Sequence, residues 1–502
     1  MILLPLLIAA LPQGVPHVRS LLPLDGELLS LETADADGDG RLDLFLAVRR
    51  ENGDRVIQVH RLREDGALPT RPDHEVQVKS DIVCWGVGEF IAAEAGAELL
   101  LTTRNSAFAL SPRAEGYRGI LKLGSGDWLL DLPSHRQLPA WPAIADLDGD
   151  GLDEVVLPTW TGFRILAADG DVFGDIPLRP ASGRRPALDR AYKIGPVTVS
   201  GQPLSDLMVP DEDPGALEPP PAAYASEALP LPWLADSDGD GLLDLVYEWQ
   251  GVITVHRQRP AGVVPRFEPA PDVALPYEDG GDWEVASLEL VDAGGGPAVD
   301  LMVTRREKEI RLSGDWQVLL FFDPFLGQGS MARPDSLVAT EAGLVGVHLA
   351  DVAPVDGRLD LILSSWTLDV GVIGGSKVDI EHQVLVYPAG EDGRHPRRPE
   401  LKYQREYDAD DFTAFSQVPP APGDLAGDGG ADLLEADPHG VLEFRAITFR
   451  DGKLRVSEQP VRRIEVEALS SRVLVTDLDG DGTGDLMVLK KQVVEVYVAR
   501  SR

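Results

Sequence analysis

The residues best placed to do chemistry are short runs of alternating carboxylates. The first is Asp35-Ala36-Asp37-Gly38-Asp39-Gly40-Arg41-Leu42-Asp43, and the pattern returns at residues 146–154, 236–244 and 477–485. A fifth copy, residues 424–432, keeps acids at positions one, five and nine but has Ala426 at position three. In a tight loop, positions one, three and five point inward. Glycine at position six permits a turn that residues with a Cβ resist. The carbonyl of position seven can turn in, and the acid at position nine closes an oxygen cage. Hard oxygen ligands in this number favour Ca2+ over Mg2+. One such loop could equally be a polar turn whose acids face water, but four strict copies in one context argue for cation sites. An EF-hand would need Glu at position twelve. The strict copies hold Leu46, Leu157, Tyr247 and Val488 there, each inside an apolar run, and Glu435 at that position of the fifth copy is read as chance.

The elements that must position these loops are strands. Each copy runs directly into an apolar segment, as in Leu44-Phe45-Leu46-Ala47-Val48 and Leu245-Val246-Tyr247. A second run with period-two alternation follows, as in Val252-Ile253-Thr254-Val255-His256, which marks a half-buried strand. Weaker echoes at residues 96–98, 292–300 and 356–360 keep part of the loop and the strand after it. The last acids fall at residues 43, 98, 154, 244, 300, 360, 432 and 485, mostly 53 to 60 residues apart. That spacing suits one four-stranded blade with its loops. The expected fold is therefore all-β, a closed β-propeller of about eight four-stranded blades over residues 15–502, with seven the alternative count. The longest gap holds a strand-like run at 205–209 and a proline-rich acidic stretch at 210–232, read as an insertion. The final unit ends one strand short, after 493–498, while a spare strand-like run at 18–24 precedes the first. Docking that run onto the last blade would close the ring and remove two open edges.

Asp-x-Asp-Gly-Asp-Gly-x-x-Asp leading into an apolar strand resembles the FG-GAP/VCBS repeat of integrin α-subunit propellers and many secreted bacterial proteins. The resemblance covers nearly the whole chain beyond its N-terminus. It implies that each loop joins the first and second strands of a blade and holds Ca2+, with four strong sites and one weaker. The implied ligands are Asp35, Asp37, Asp39, the Arg41 carbonyl and Asp43 in the first site. They are Asp146, Asp148, Asp150, the Leu152 carbonyl and Glu154 in the second, and Asp236, Asp238, Asp240, the Leu242 carbonyl and Asp244 in the third. The last strict site has Asp477, Asp479, Asp481, the Thr483 carbonyl and Asp485, and the weaker one Asp424, Asp428 and Asp432. The Gly-Ala-Pro half of the integrin signature is missing, so an integrin-like partner does not follow.

Composition agrees. There are 83 acidic against 46 basic residues, a formal net charge of −37, which repels nucleic-acid phosphates and anionic membrane surfaces. The start, Met1-Ile2-Leu3-Leu4-Pro5-Leu6-Leu7-Ile8-Ala9-Ala10, reads as the apolar part of a signal peptide over residues 1–14. It is too short to span a bilayer, and no transmembrane segment follows. A secreted, periplasmic or cell-surface location is expected, with the chain a monomer. The single cysteine, Cys84, sits among Ile82, Val83 and Trp85 and is expected to be a buried apolar residue with no reactive thiol. Trp85, Trp141, Trp233 and Trp283 precede repeat loops and suit a blade-core position better than a carbohydrate-stacking surface. The basic island 394–398 reads as a solvated loop. No Gly-x-Ser-x-Gly elbow, His-Glu-x-x-His or histidine pair is present. Extracellular protein or glycan binding, including adhesion, is the expected function. The alternative, by likeness of plan, is a calcium-dependent polysaccharide lyase or hydrolase whose site is assembled from separate blades.

Overall fold

A computed structural model describes residues 17–92, 95–113, 116–128, 130, 137–159, 161–178, 231–249, 251–277, 281–294, 296–309, 313–327, 329–352, 354–370, 378–409, 421–436, 441–465 and 472–500. The signal-peptide segment, the run 205–209 and nearly all of the insertion 210–232 lie outside these residues. All described elements are strands, paired antiparallel into eight sheets that form the blades of a β-propeller, with one further two-stranded hairpin.

Blade 1 is built from Gly26–Ala34, Asp43–Arg50, Arg55–His60 and His74–Val78, and blade 2 from Ile82–Gly88, Glu98–Thr103, Ser106–Ser111 and Gly119–Ser125. Blade 3 has Ile144–Ala145, Glu154–Thr159, Gly162–Leu166 and Val172–Pro177, and blade 4 has Trp233–Ala235, Asp244–Trp249, Val252–His256 and Val273–Pro276. Blade 5 follows with Trp283–Val291, Asp300–Glu307, Gly314–Phe321 and Ser336–Ala342. Blade 6 has Leu344–Ala350, Asp360–Val370, Val378–Tyr387 and Leu401–Ala409. Blade 7 pairs Leu433–Ala436, Val441–Arg445 and Arg462–Glu465 among the described residues, with the hairpin of Ile447–Arg450 and Lys453–Val456 between its last two strands. Blade 8 takes Arg472–Thr476, Asp485–Leu489 and Val493–Ala499 from the C-terminus and His17–Pro23 from the N-terminus.

The N-terminal strand closes the ring as the strand deficit requires. His17 pairs with Ala499 and Pro23 with Val493, antiparallel and without a register shift. Burial alternates along it, so Ser20 and Leu22 face inward while Arg19, Leu21 and Pro23 face out. Second strands are apolar on both faces because each blade lies between two others. Asp43 to Val48 are all buried, as are Glu154 to Pro158. The core is therefore a series of inter-blade layers. One layer joins Leu22, Val494, Val496 and Val498 of blade 8 to Leu44 and Leu46 of blade 1. Others join blades 1 and 2, 4 and 5, 5 and 6, 6 and 7, and 7 and 8, and a larger one runs from blade 2 through blade 4. The hairpin in blade 7 lays Ile447 and Leu454 against Val384 and Val386 of blade 6.

Trp85 and Trp141 are core residues whose indole N–H groups are satisfied. Trp85 donates to Ser30 Oγ at 2.9 Å and Trp141 to the Val156 carbonyl at 2.9 Å. Trp233 and Trp283 are half-buried instead: Trp233 borders a cavity, and Arg305 lies 5.0 Å over the Trp283 ring. Cys84 is buried, and desolvation pushes its thiol up to about 12. In the basic island, Arg394 pairs with Asp335 at 2.9 Å and Pro396, Arg397 and Arg398 are exposed, but His395 is buried, its amide donating to Ser336 Oγ at 2.9 Å, so the loop is solvated only in part. Among the described residues no helix is long and apolar enough to cross a membrane.

Candidate metal centres

The carboxylate loops occupy the place the repeat implies. Residues 35–43, 146–154, 236–244 and 477–485 each link the first and second strands of a blade, and 424–432 leads into the strand Leu433–Ala436. The loop is shaped by its first acid and its two glycines. Asp35 Oδ1 accepts the amide of Gly38 at 2.6 Å and Oδ2 that of Gly40 at 2.7 Å. Asp146, Asp236, Asp424 and Asp477 do the same for their own glycines. Those glycines, at positions four and six, have φ between 74° and 93° in all five copies, a region that costs any residue with a Cβ.

Position nine has a structural duty in every blade. Asp43, Glu98, Glu154, Asp244, Asp300, Asp360, Asp432 and Asp485 are all buried. Each accepts the amide of position two, as in Ala36 N–H to Asp43 Oδ2 at 2.9 Å. In five blades the second oxygen accepts an amide at or just beyond the end of the third strand, as in Leu62 N–H to Asp43 Oδ1 at 2.7 Å. This acid pins the loop to the blade whether or not the loop is rich in acids, which explains its survival in the weak repeats. Desolvation raises Asp43, Asp432 and Asp485 to about 7 and Glu154 to about 8, in part offset by those amides and reinforced by the other loop acids.

Position three has no such duty. Asp37 Oδ1, Asp148 Oδ1 and Asp238 Oδ1 are buried with no hydrogen-bond partner. Carboxylate oxygens converge within 4.8 Å for Asp35, Asp37 and Asp39, for Asp146, Asp148 and Glu154, for Asp236, Asp238 and Asp244, and for Asp477, Asp479 and Asp485. Asp424, Asp428 and Asp432 also converge, and there the unpartnered buried oxygen is Asp432 Oδ1. At position five, Asp39, Asp150, Asp240 and Asp481 each accept the amide of position seven, Arg41, Leu152, Leu242 and Thr483. Asp153 stays out of the cage and accepts the Glu89 amide at 2.7 Å. Glu435 turns away from its loop to Tyr403 and Arg405.

Sequence reading missed two things here. Blade 6 has a first-position acid, Asp351, which accepts the amides of Asp356 and Gly357. One extra residue in that loop hides the pattern. Most of the loops are also stitched to the loop of the preceding blade. The position-eight amides of Ala97, Asp153, Val299, Ala431 and Gly484 donate to the position-one carbonyls of Asp35, Glu89, Asp236, Asp351 and Asp424 in the preceding blade. Leu42 of blade 1 likewise donates to a loop carbonyl of blade 8, that of Leu478 at position two.

Two cavities adjoin the loops. One of about 740 Å³ is bordered by first-strand residues of blades 3, 4 and 5, including Ile144, Trp233, Leu234 and Leu290, with Glu248 and Asp292 as its acids. The other, about 520 Å³, lies beside Asp148 and Asp150 and is bordered by Asp169, Phe173, Pro265 and Arg266.

No protein-family model matches the chain, and no curated protein matches it. Among solved structures, an Agrocybe aegerita lectin that recognises non-reducing terminal N-acetylglucosamine is similar at 13% identity and TM-score 0.40, covering 97% of this chain and 96% of the lectin. Sqt1 from Chaetomium thermophilum is similar at 12% identity and TM-score 0.40, covering 98% of this chain and 100% of Sqt1. BBS1N, solved in complex with ARL6DN, is similar at 10% identity and TM-score 0.32, covering 97% of each chain. The propeller assignment rests on this chain's own strand pairing and ring closure.

Proposed function

We propose that the chain is a calcium-loaded propeller of the FG-GAP/VCBS kind that works outside the cytosol as a binding module for a protein or a glycan. One observation carries the cation assignment. Asp37, Asp148 and Asp238 each bury an oxygen that nothing in the protein satisfies. A buried acceptor left unpaired is costly, and a carboxylate more so. The neighbouring carboxylates leave a divalent cation as the partner that fits. Oxygen-only ligands from a flexible loop suit Ca2+, and sites of extracellular modules have dissociation constants of order 10⁻⁴ to 10⁻³ M. The apolar opening of the chain, read as part of a signal peptide, is what supports the extracellular placement. What supports a binding role is the larger cavity, mostly apolar with two carboxylates, a lining of the kind that holds a ligand.

The test is calorimetric titration of chelator-stripped protein with Ca2+ and with Mg2+. Four or five Ca2+ sites are expected, with Asp148→Asn and Asp238→Asn each removing one. No uptake at 10 mM would overturn the assignment. A glycan array read for both retention and cleavage products separates a binding module from a lyase or hydrolase.

A further inference from the structure

Each third-position aspartate has two unlike oxygens. While Oδ1 of Asp37, Asp148 and Asp238 is buried and unpartnered, Oδ2 of the same residue faces an arginine. Arg61 Nη1 lies 3.5 Å from Asp37, Arg257 Nε 3.1 Å from Asp238, and Arg266 Nη2 3.7 Å from Asp148.

The recurrence has a local origin. Arg61 and Arg257 each stand one residue beyond the third strand of their blade, after His60 and His256. Blade 3 has Ala167 at that place, and its arginine arrives from blade 4 instead, with the Arg266 guanidinium 5.0 Å over the Phe173 ring. The side chains are tethered outside the cage. Arg257 Nη2 donates to the Phe325 carbonyl of blade 5 at 2.8 Å, and Arg61 Nη2 meets His74 Nε2 at 2.9 Å. The fifth loop has Ala426 at position three and no carboxylate there to pair.

A guanidinium held in this position does two opposed things. It offsets the mutual repulsion of the loop acids when they are alone, and it repels a divalent cation entering from the Oδ1 side. We propose that these three arginines are resident counter-ions that keep their loops closed without a cation and weaken cation binding, so that those loops load and unload near millimolar concentrations. This rests on the cation assignment above and adds what regulates it.

The experiment uses the full chain with Arg61→Gln and Arg257→Gln, singly and together, stripped with chelator and titrated with Ca2+. The double variant should bind two of its ions about three- to tenfold more tightly, giving a two-phase titration. Its melting temperature in chelator should fall below that of the wild type. Arg257→Lys, which keeps the charge, should lie nearer the wild type on both measures. Weaker or unchanged calcium affinity in the glutamine variants overturns the proposal, as does an unchanged melting temperature in chelator. If the wild type takes up no Ca2+, the cation assignment fails along with the affinity effect. The melting comparison would still report whether the arginines act as counter-ions.

Discussion

Replacing Leu22 by alanine tests ring closure at one side chain. Leu22 is fully buried between Val494, Val496 and Val498 of its own blade and Leu44 and Leu46 of blade 1. Truncating a leucine in such a site costs about 2–5 kcal/mol, transfer and cavity terms together. Its neighbour Leu21 is 45% exposed, so Leu21→Ala should stay within about 0.5 kcal/mol. The other ties of this strand are smaller. Arg19 pairs with Glu495 at 2.7 Å, but its side chain is 58% exposed, and an ion pair with so exposed a partner contributes little. Ser20 Oγ accepts the Leu68 amide at 2.8 Å, a bond worth about 1 kcal/mol. Leu22 should thus dominate, with a loss that is a large share of a stability of about 5–15 kcal/mol. Urea denaturation followed by tryptophan fluorescence measures it. Equal losses for the two leucines, or a loss below about 1 kcal/mol for Leu22→Ala, would refute the docking of the N-terminal strand into blade 8.

Chelation should lower the melting temperature at neutral pH. At about 1 mM calcium each site adds roughly 0.4–1.4 kcal/mol, so equal melts with and without chelator would count against calcium. Asp153→Ala should lower stability, because the Glu89 amide loses its acceptor, yet leave the number of ions in a calorimetric titration unchanged. The pH response of the cation-free chain has a definite sign. Asp43, Asp432 and Asp485 sit at about 7 when folded and Glu154 at about 8, against about 4 when unfolded. Between those values the folded chain binds more protons, so its stability in chelator should fall as pH rises from 4 towards 8. Saturating calcium, which needs the ionised acids, should flatten or reverse that slope in melts run across the window. Cys84, its thiol pushed up to about 12, should resist a thiol reagent at pH 8 until the chain is unfolded.

Much of this was legible because the fold repeats. Eight last acids, mostly 53 to 60 residues apart, marked eight blades, and a missing strand at one end with a spare one at the other marked the closure. The place of each acid loop between first and second strands came from the resemblance to the FG-GAP/VCBS repeat, while the run of acids ending in an apolar segment marked only the strand that follows. These signals survive in sequence because they depend on residues within one unit, where the period of a strand and the turn chemistry of glycine act over a few positions.

Roles that depend on the neighbouring blade were not legible. The acid at position nine reads as a cation ligand, but its oxygens first hold amides at position two and beyond the third strand, about 20 residues away in Asp43 and Leu62. Arg266 lies well over a hundred residues from Asp148, and nothing along the chain links them. Among the described residues, position-eight amides donating to loop carbonyls join six of the eight blades to the one before. These bonds use only backbone atoms, which carry no residue type to read. Blade content is set by local periodicity, so the sequence alone determined it. Which oxygen of a carboxylate is already satisfied, and which is left for a cation, is set by packing between units far apart in the chain, and only the tertiary structure decided that.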